Sequence, residues 1–301
     1  MNPISINKCK KDKRLANIRY VIISPIRNEG HLIEKTIKSV VSQTVKPVKW
    51  VIVNDGSTDN TRQIIEKYIE KYGWIKLVNL PDRGFRKQCV ASVLPAGLNL
   101  INIDDYDFIV KLDGDLSFES TYFEELFTRF VENSKLGIAS GSCYNLVKNR
   151  LVLEKVPQFH VRGASKVYRR ECWQDIGGLV EKLGWDTVDE IKAQMLGWKT
   201  QSFRELKVIH YRKTGSAGGM IRGKISYGQA NYFAGYHPLF MILKAIKHMV
   251  NKPYLIGGII MIYSFFRGYI LKLPQIKDPQ LIRYLRRQQI NRLIFRKTIW
   301  K

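Results

Sequence analysis

The sequence predicts an α/β fold with a mostly parallel central sheet and a C-terminal helical extension. Three observations predict it. Over the first 150 residues, short apolar runs alternate with segments of helical period, the pattern of β-α-β units. Acid-bearing polar turns follow several of those runs directly. Beyond Pro238 the chain keeps its apolar stretches but carries a single acid, Asp278.

Taken in order, Tyr20-Val-Ile-Ile-Ser24 reads as a buried strand, and Leu32, Ile33, Ile37, Val40 and Val41 recur at helical spacing through Gln43. Trp50-Val-Ile-Val-Asn54 is the second strand. Asp55-Gly-Ser-Thr-Asp59 then offers capping residues to a helix whose inward face is Ile64, Ile65, Tyr68, Ile69 and Tyr72. Ile75 to Leu80 predicts a third strand and Asp107 to Leu112 a fourth. Phe118 to Asn133 predicts an amphipathic helix with Phe123, Leu126, Phe127 and Phe130 inward. After about residue 140 the pattern is mixed, with a helix expected over Val188–Leu196 and a strand ending at Val208-Ile-His-Tyr-Arg212. His237 to Met249 is amphipathic and basic. Tyr254 to Phe266 is uncharged and shorter than the roughly 20 residues that a spanning helix needs.

With 45% hydrophobic residues in 301, the chain can bury a large core and lacks the marks of disorder. Cys9, Cys89, Cys143 and Cys172 show no paired spacing, which disfavours a zinc site or a disulfide framework and suits a reducing compartment. Residues 1–14 read as a flexible basic N-terminus. The stretch to Arg19 has no apolar run of the signal-peptide kind, so the catalytic part is expected on the cytosolic side. A net charge of +24 calls for anionic partners. Half of that excess lies in Pro238–Lys301, where 13 Lys/Arg face one acid. Beside apolar stretches, this charge fits an anionic membrane surface better than nucleic acid, and no nucleic acid is expected.

In open α/β sheets, ligands bind outside the carboxyl ends of the strands. Three polar turns stand there: Pro25-Ile-Arg-Asn-Glu29, Asp55-Gly-Ser57 and Asp113-Gly-Asp115. Clustered at one edge, Asp55 suits a base N–H, Asp113 a ribose hydroxyl, and Asp115 a Mg²⁺ or Mn²⁺ ion shared with substrate phosphate. Each has a plainer reading: Asp55 also suits a helix cap, and an Asp-x-Asp arises about once by chance in a chain this long. The order and placement of all three together carry the inference.

These residues resemble the inverting family-2 glycosyltransferases of the GT-A fold, and the resemblance spans about residues 19–215. Pro25-Ile-Arg-Asn-Glu29 resembles the opening motif, Val53-Asn-Asp-Gly-Ser-Thr-Asp59 the second, and Asp113-Gly-Asp115 the metal motif. The resemblance implies that Pro25, Arg27, Glu29 and Asp55 surround the nucleoside, Asp113 the ribose and Asp115 the metal. Arg83, Arg86 and Lys87 stand where the family carries a different segment near the nucleotide, and suit either a diphosphate contact or a solvated basic loop. Arg162-Gly-Ala-Ser-Lys-Val-Tyr-Arg-Arg170 resembles the segment under the donor sugar, with Gly163 permitting close approach. Gly184-Trp-Asp-Thr-Val-Asp-Glu190 resembles the catalytic-base motif, placing Asp186 as base and Asp189 as the alternative, although Trp185 replaces the usual Glu. The helix macrodipole accounts for one or two of these acids without catalysis. His210 is similarly placed to a C-terminal histidine that binds metal or diphosphate in many GT-A enzymes, and is equally a structural imidazole.

The expectation is thus a GT-A catalytic domain over residues 15–235 and a membrane-associating extension over 236–301. It would transfer sugar from a nucleoside diphosphate sugar to a lipid-linked or glycan acceptor at the cytoplasmic face of the membrane. The rivals are an inactive GT-A domain serving as an assembly partner and a basic nucleic-acid-binding protein.

Overall fold

The computed structural model describes residue 15 and residues 17–82, 92–147, 150–212, 219–250 and 253–300. The expected N-terminal segment 1–14 and the candidate cations Arg83, Arg86 and Lys87 lie outside these residues.

The first half alternates as expected: β1 (Tyr20–Ile26), α1 (Ile33–Val41), β2 (Lys49–Asp55), α2 (Thr61–Lys71), β3 (Ile75–Leu80), α3 (Leu94–Leu98) and β4 (Phe108–Leu112). There follow β5 (Leu116–Ser117), α4 (Tyr122–Glu132), β6 (Leu136–Val147), β7 (Arg150–Leu153), β8 (Ser165–Arg169), α5 (Arg170–Ile176), α6 (Trp185–Met195) and β9 (Lys199–His210). Four helices end the chain: α7 (Gly219–Phe233), α8 (Pro238–His248), α9 (Ile256–Ile270) and α10 (Pro279–Leu293).

All nine strands join one sheet in the order β3-β2-β1-β4-β8-β6-β9-β5, with β7 beside β6. β1, β2, β3, β4, β6 and β9 run one way, and β5, β7 and β8 run against them. Both faces of β1 are covered, which is why it reads as an unbroken apolar run. Tyr20 and Ile22 meet α1 and α4, where the rings of Phe123 and Phe127 lie 5.1 and 4.8 Å from Tyr20. Val21 faces Tyr168 and Trp173, and Ile23 faces α3 and Trp185.

Three elements depart from the sequence expectation. The amphipathic helix expected from Phe118 begins at Tyr122, because Leu116 and Ser117 pair with His210 and Ile209 instead. The strand ending at His210 starts at Lys199 and pairs with β6 along most of its length. The helix expected from Val188 starts at Trp185, so Asp186 lies in its first turn.

The last four helices close on α6. Val188 and Ile191 of α6 share a core with Tyr232, Met241, Phe265, Leu281 and Leu285. α7 and α9 lie close enough that a Cβ on Gly228 would stand 1.9 Å from the Ser264 hydroxyl. No helix among the described residues is long and apolar enough to cross a membrane.

Candidate active site

The parallel order β2-β1-β4 brings the three predicted turns to one sheet edge. Arg27 leaves β1 and donates to the main-chain oxygen of Asp55 and, at 2.7 Å, to Asp82. It thereby ties the ends of β1 and β2 to the loop after β3. Gly56 has φ +63°, and a Cβ there would lie 2.4 Å from the Asp82 Cα, so only glycine allows this closure. Asn28, at φ 52°, accepts from the Thr58 amide at 2.8 Å, and its own amide donates to Ser57 at 2.9 Å. Asp59 accepts from the amides of Gly30 at 2.9 Å and Thr61 at 3.1 Å. Pro25 lies inside β1, paired with Val53, so its ring shapes the strand end from below.

Below that edge lies an anionic cluster with too little positive charge. His210 Nε2 stands 3.3 Å from Asp115 Oδ2, so the two residues predicted as metal ligands meet at the join of β5 and β9. Arg212 donates to Glu29 at 2.6 Å and lies 3.9 Å from Asp115. Asp115 Oδ1 and His210 Nδ1 are buried without a hydrogen-bond partner. Burial, and then the charge of Asp115, push Glu29 up to about 8 despite Arg212. Burial also raises Asp113 in spite of its contact with Lys111. Buried carboxylates with raised affinity for protons and an unpartnered oxygen are what a hard-cation site looks like without its ion. The described residues include no group of three or more His, Cys, Asp or Glu able to hold a metal by themselves. Asp115 and His210 suit a site whose remaining ligands are phosphate oxygens and water.

A second charged cluster lies beside the first. β8 runs antiparallel to β4 with Lys111 opposite Lys166, and like charges so paired repel. The carboxylates around them resolve the conflict. Lys111, almost wholly buried, binds Asp113 and, at 2.5 Å, the Gly163 carbonyl. Lys166, also wholly buried, reaches both Asp189 oxygens at 3.0 Å, Glu190 at 2.8 Å and the Asp186 carbonyl at 2.8 Å. Tyr168 donates to Asp189 at 2.5 Å, and His160 Nδ1 lies 2.8 Å from Glu190. The indole of Trp185 stands 5.5 Å from the Lys111 amine and 5.3 Å from that of Lys166, a cation–π geometry on both sides. A Cβ on Gly163 would press on this ring at 3.1 Å. The close approach that calls for glycine at 163 is therefore to Trp185.

The three acids of α6 thus have different environments. Asp189 and Glu190 are buried and bonded, and burial pushes Asp189 up to about 6. The helix-terminus reading offered for them is replaced by the need to balance Lys166. Asp186 is only half-buried. Burial alone would raise its pKa, but Lys166, His160, Arg162 and Lys111 outweigh it and hold the carboxyl below its ordinary value. Lys111, His160, Arg162 and Lys166 were not singled out as site residues from the sequence. The available signal was a lysine inside the apolar run Phe108-Ile-Val-Lys-Leu112, which burial obliges to find a carboxylate.

Comparison with known proteins places this architecture. The family model described as "Glycosyl transferase family 2" matches residues 21–174. The chain is 28% identical over 157 residues to the glycosyltransferase GlyA of Streptococcus pneumoniae, covering 51% of this chain and 21% of that protein. It is 30% identical over 139 residues to the cholesterol galactosyltransferase of Borreliella burgdorferi, covering 45% of this chain and 37% of that one. It therefore spans well under two thirds of the length of either relative. Among solved structures, a mannosyltransferase from Pyrobaculum calidifontis in complex with GDP-Man and Mn²⁺ aligns with TM-score 0.54 at 13% identity, over 98% of this chain and 83% of that one. TarS 1-349 of Staphylococcus aureus in complex with UDP-GlcNAc aligns with TM-score 0.53 at 19% identity, over 89% of this chain and 80% of that one. The fold is therefore of the GT-A type, and the chain belongs to glycosyl transferase family 2.

Proposed function

We propose that this enzyme transfers a sugar, with inversion, from a metal-bound nucleoside diphosphate sugar to a hydroxyl of a lipid-linked or glycan acceptor at the cytoplasmic face of a membrane. The observation that carries the reading is the contrast on α6. Asp186 is the half-buried carboxylate, held below its ordinary pKa by its charged neighbours, Lys166 foremost, while Asp189 and Glu190 are bonded away from solvent. A single ionised base beside a diphosphate site is what inverting transfer requires.

Pro25, Arg27, Glu29 and Asp55 form the rim for the nucleoside, and Asp113 lies where a ribose would rest. Asp115 and His210 would hold Mg²⁺ or Mn²⁺, which would supply positive charge opposite the departing diphosphate. Arg212, between Glu29 and Asp115, is placed to neutralise the same phosphates. Asp186 accepts the proton of the acceptor hydroxyl as that oxygen attacks the anomeric carbon from the face opposite the diphosphate. The mannosyltransferase with GDP-Man and Mn²⁺ and the TarS complex with UDP-GlcNAc support the donor class. The acid-poor, apolar C-terminal helices support the location.

The test is thermal unfolding with a panel of nucleotide sugars, with and without Mn²⁺. A true donor at about 100 times its Kd adds about 2.7 kcal/mol, a rise of several degrees. If no member of the panel raises Tm with Mn²⁺ and none is consumed, the reading is overturned.

Asp115→Ala separates metal from fold. The variant loses the Mn²⁺-dependent part of donor binding, by more than the roughly 10- to 100-fold that an outer-shell change costs. It still folds, because the mutation removes a buried charge whose Oδ1 has no partner. Donor titrations by calorimetry with and without Mn²⁺ check this, and an unchanged Mn²⁺-dependent affinity would take Asp115 out of the metal site.

A further inference from the structure

The C-terminal helices meet at one end in a way their sequences do not announce. A Cβ on Gly257, near the start of α9, would touch the Lys224 side chain of α7 at 3.3 Å. A Cβ on Gly258 would meet Met249, just past the end of α8, and the Leu255 amide donates to the Met249 carbonyl at 2.9 Å. Tyr227 of α7 and His248 of α8 lie ring to ring at 5.8 Å. The start of α7, the end of α8 and the start of α9 therefore form a single tip.

That tip is apolar and open. Ile221 is 54% exposed, Val250 74%, Leu255 64% and Ile256 56%, and Met220, Ile246, Tyr254 and Ile259 are exposed with them. Leu255 holds φ 48° and ψ −57°, the strained centre of a γ-turn closed by the Ile256 amide on the Tyr254 carbonyl, while its side chain gains no burial. Contiguous apolar surface of this kind marks a contact site. The charge around it decides the partner. Arg222, Lys224 and Lys247 ring the tip, and from Leu206 to Lys277 the chain has no Asp or Glu. Lys224, Lys244 and Lys247 all lie within electrostatic range of His248, which burial first and these charges second push down to about 4.

We infer that the tip formed by the start of α7, the end of α8 and the start of α9 inserts shallowly into an anionic lipid surface and sets the active site beside it. The inference rests on the membrane reading above and names the surface that performs it. Apolar side chains inside a basic collar match the interfacial zone of a bilayer, where chains bury in lipid and cations meet phosphate headgroups.

The same helices fix the distance to the chemistry. Gly184, immediately before α6, packs on α7 so closely that a Cβ would lie 2.9 Å from the Ala230 carbonyl oxygen. From Ala230 back to Ile221 is about 14 Å along the helix at 1.5 Å per residue. Tyr227 lies between, within electrostatic range of Arg162, and Tyr236, just past the end of α7, lies within electrostatic range of Asp186. The base thus sits at one end of α7 and the tip at the other. The acceptor this arrangement suits is anchored in lipid, with its hydroxyl a short distance outside the bilayer.

The experiment is co-sedimentation of the full chain with phosphatidylcholine vesicles, with and without phosphatidylglycerol. It compares wild type with a Val250→Ser, Leu255→Asn, Ile256→Asp triple variant and a Lys224→Gln, Lys247→Gln variant. All five side chains lie outside the catalytic cluster, Asn tolerates φ > 0, and an acid is favourable at a helix start, so donor-induced thermal stabilisation serves as the folding control. The triple variant is expected to lose about ten-fold or more in vesicle affinity with donor stabilisation unchanged. The lysine variant is expected to lose its preference for phosphatidylglycerol. Wild type that binds no vesicle overturns the membrane reading itself. Wild type and triple variant that bind equally overturn the tip assignment alone. Light scattering that shows a wild-type dimer abolished in the triple variant, with no vesicle binding by either, assigns the surface to a second copy and overturns the inference.

Discussion

Asp186→Asn is expected to lower kcat by about 10²- to 10⁴-fold, the usual contribution of a general base, with donor affinity and Tm nearly unchanged. Asparagine keeps the shape of the side chain and removes its basicity. The carboxylate is half-buried and makes no hydrogen bond among the described residues, so the substitution forfeits its charge interactions but breaks no buried bond. The pH dependence follows from the direction of the shift. The cations hold Asp186 below the ordinary value of about 3.9, so it stays ionised throughout the range in which the protein is assayed, and kcat shows no acid limb from this group above about pH 5. Asp189→Asn is a poor comparison for activity, because it strikes the partner of a buried lysine. Steady-state rates for Asp186→Asn with saturating donor and acceptor decide the matter. A loss of less than ten-fold would move the base elsewhere.

The features legible in the sequence and those that were not differ in range. β1, β2 and β4 stood out because each is a run of buried, mainly apolar residues closed by a polar turn, and β3, buried fully only at Ile75, as a short apolar stretch; these are local signals. The meeting of Asp115 with His210 was also readable, since both end predicted strands. β6 was hidden, because Leu136-Gly-Ile-Ala-Ser-Gly-Ser-Cys143 is buried mainly through small residues without alternation. α10 was hidden by its arginines and glutamines, although Leu281, Leu285 and Gln289 mark its inward face every fourth residue. The collar of cations around Asp186 was beyond local reading. It comes from four separate positions that only the antiparallel pairing of β8 with β4 and the docking of α6 bring together. The exposed tip was hidden for a related reason: Met220, Val250 and Ile256 lie far apart in the sequence and meet only where the helices do.

Lys166→Met is expected to be the most destabilising of these substitutions, by about 3–5 kcal/mol, the cost of removing one partner of a buried ion pair. The methionine fits the space but leaves Asp189 with Tyr168, and Glu190 with His160 and the Val161 amide, and takes their cation away. At about 2–4 °C per kcal/mol this amounts to a fall in Tm of roughly 6–20 °C, measurable by calorimetry. The sign of its pH dependence distinguishes lost charge from lost packing. Asp189 is already raised to about 6 in the folded protein, above the ordinary 3.8. A carboxyl raised on folding contributes stability below its unfolded pKa, and that contribution is lost as pH climbs through the folded value. Without Lys166 the folded value rises further, so the loss extends to higher pH. The Tm deficit of Lys166→Met should therefore shrink as pH falls from 7 towards 5. The double variant Lys166→Met, Asp189→Asn should recover part of the deficit at pH 7, since it removes one of the stranded charges. A deficit that stays constant with pH and survives the second substitution would mean that Lys166 supports the fold by packing alone. Because Lys166 also holds the Asp186 carbonyl at 2.8 Å, the same variant reports on the base. Its remaining activity should show an acid limb shifted to higher pH than wild type, since the largest of the charges that lower the Asp186 pKa is gone.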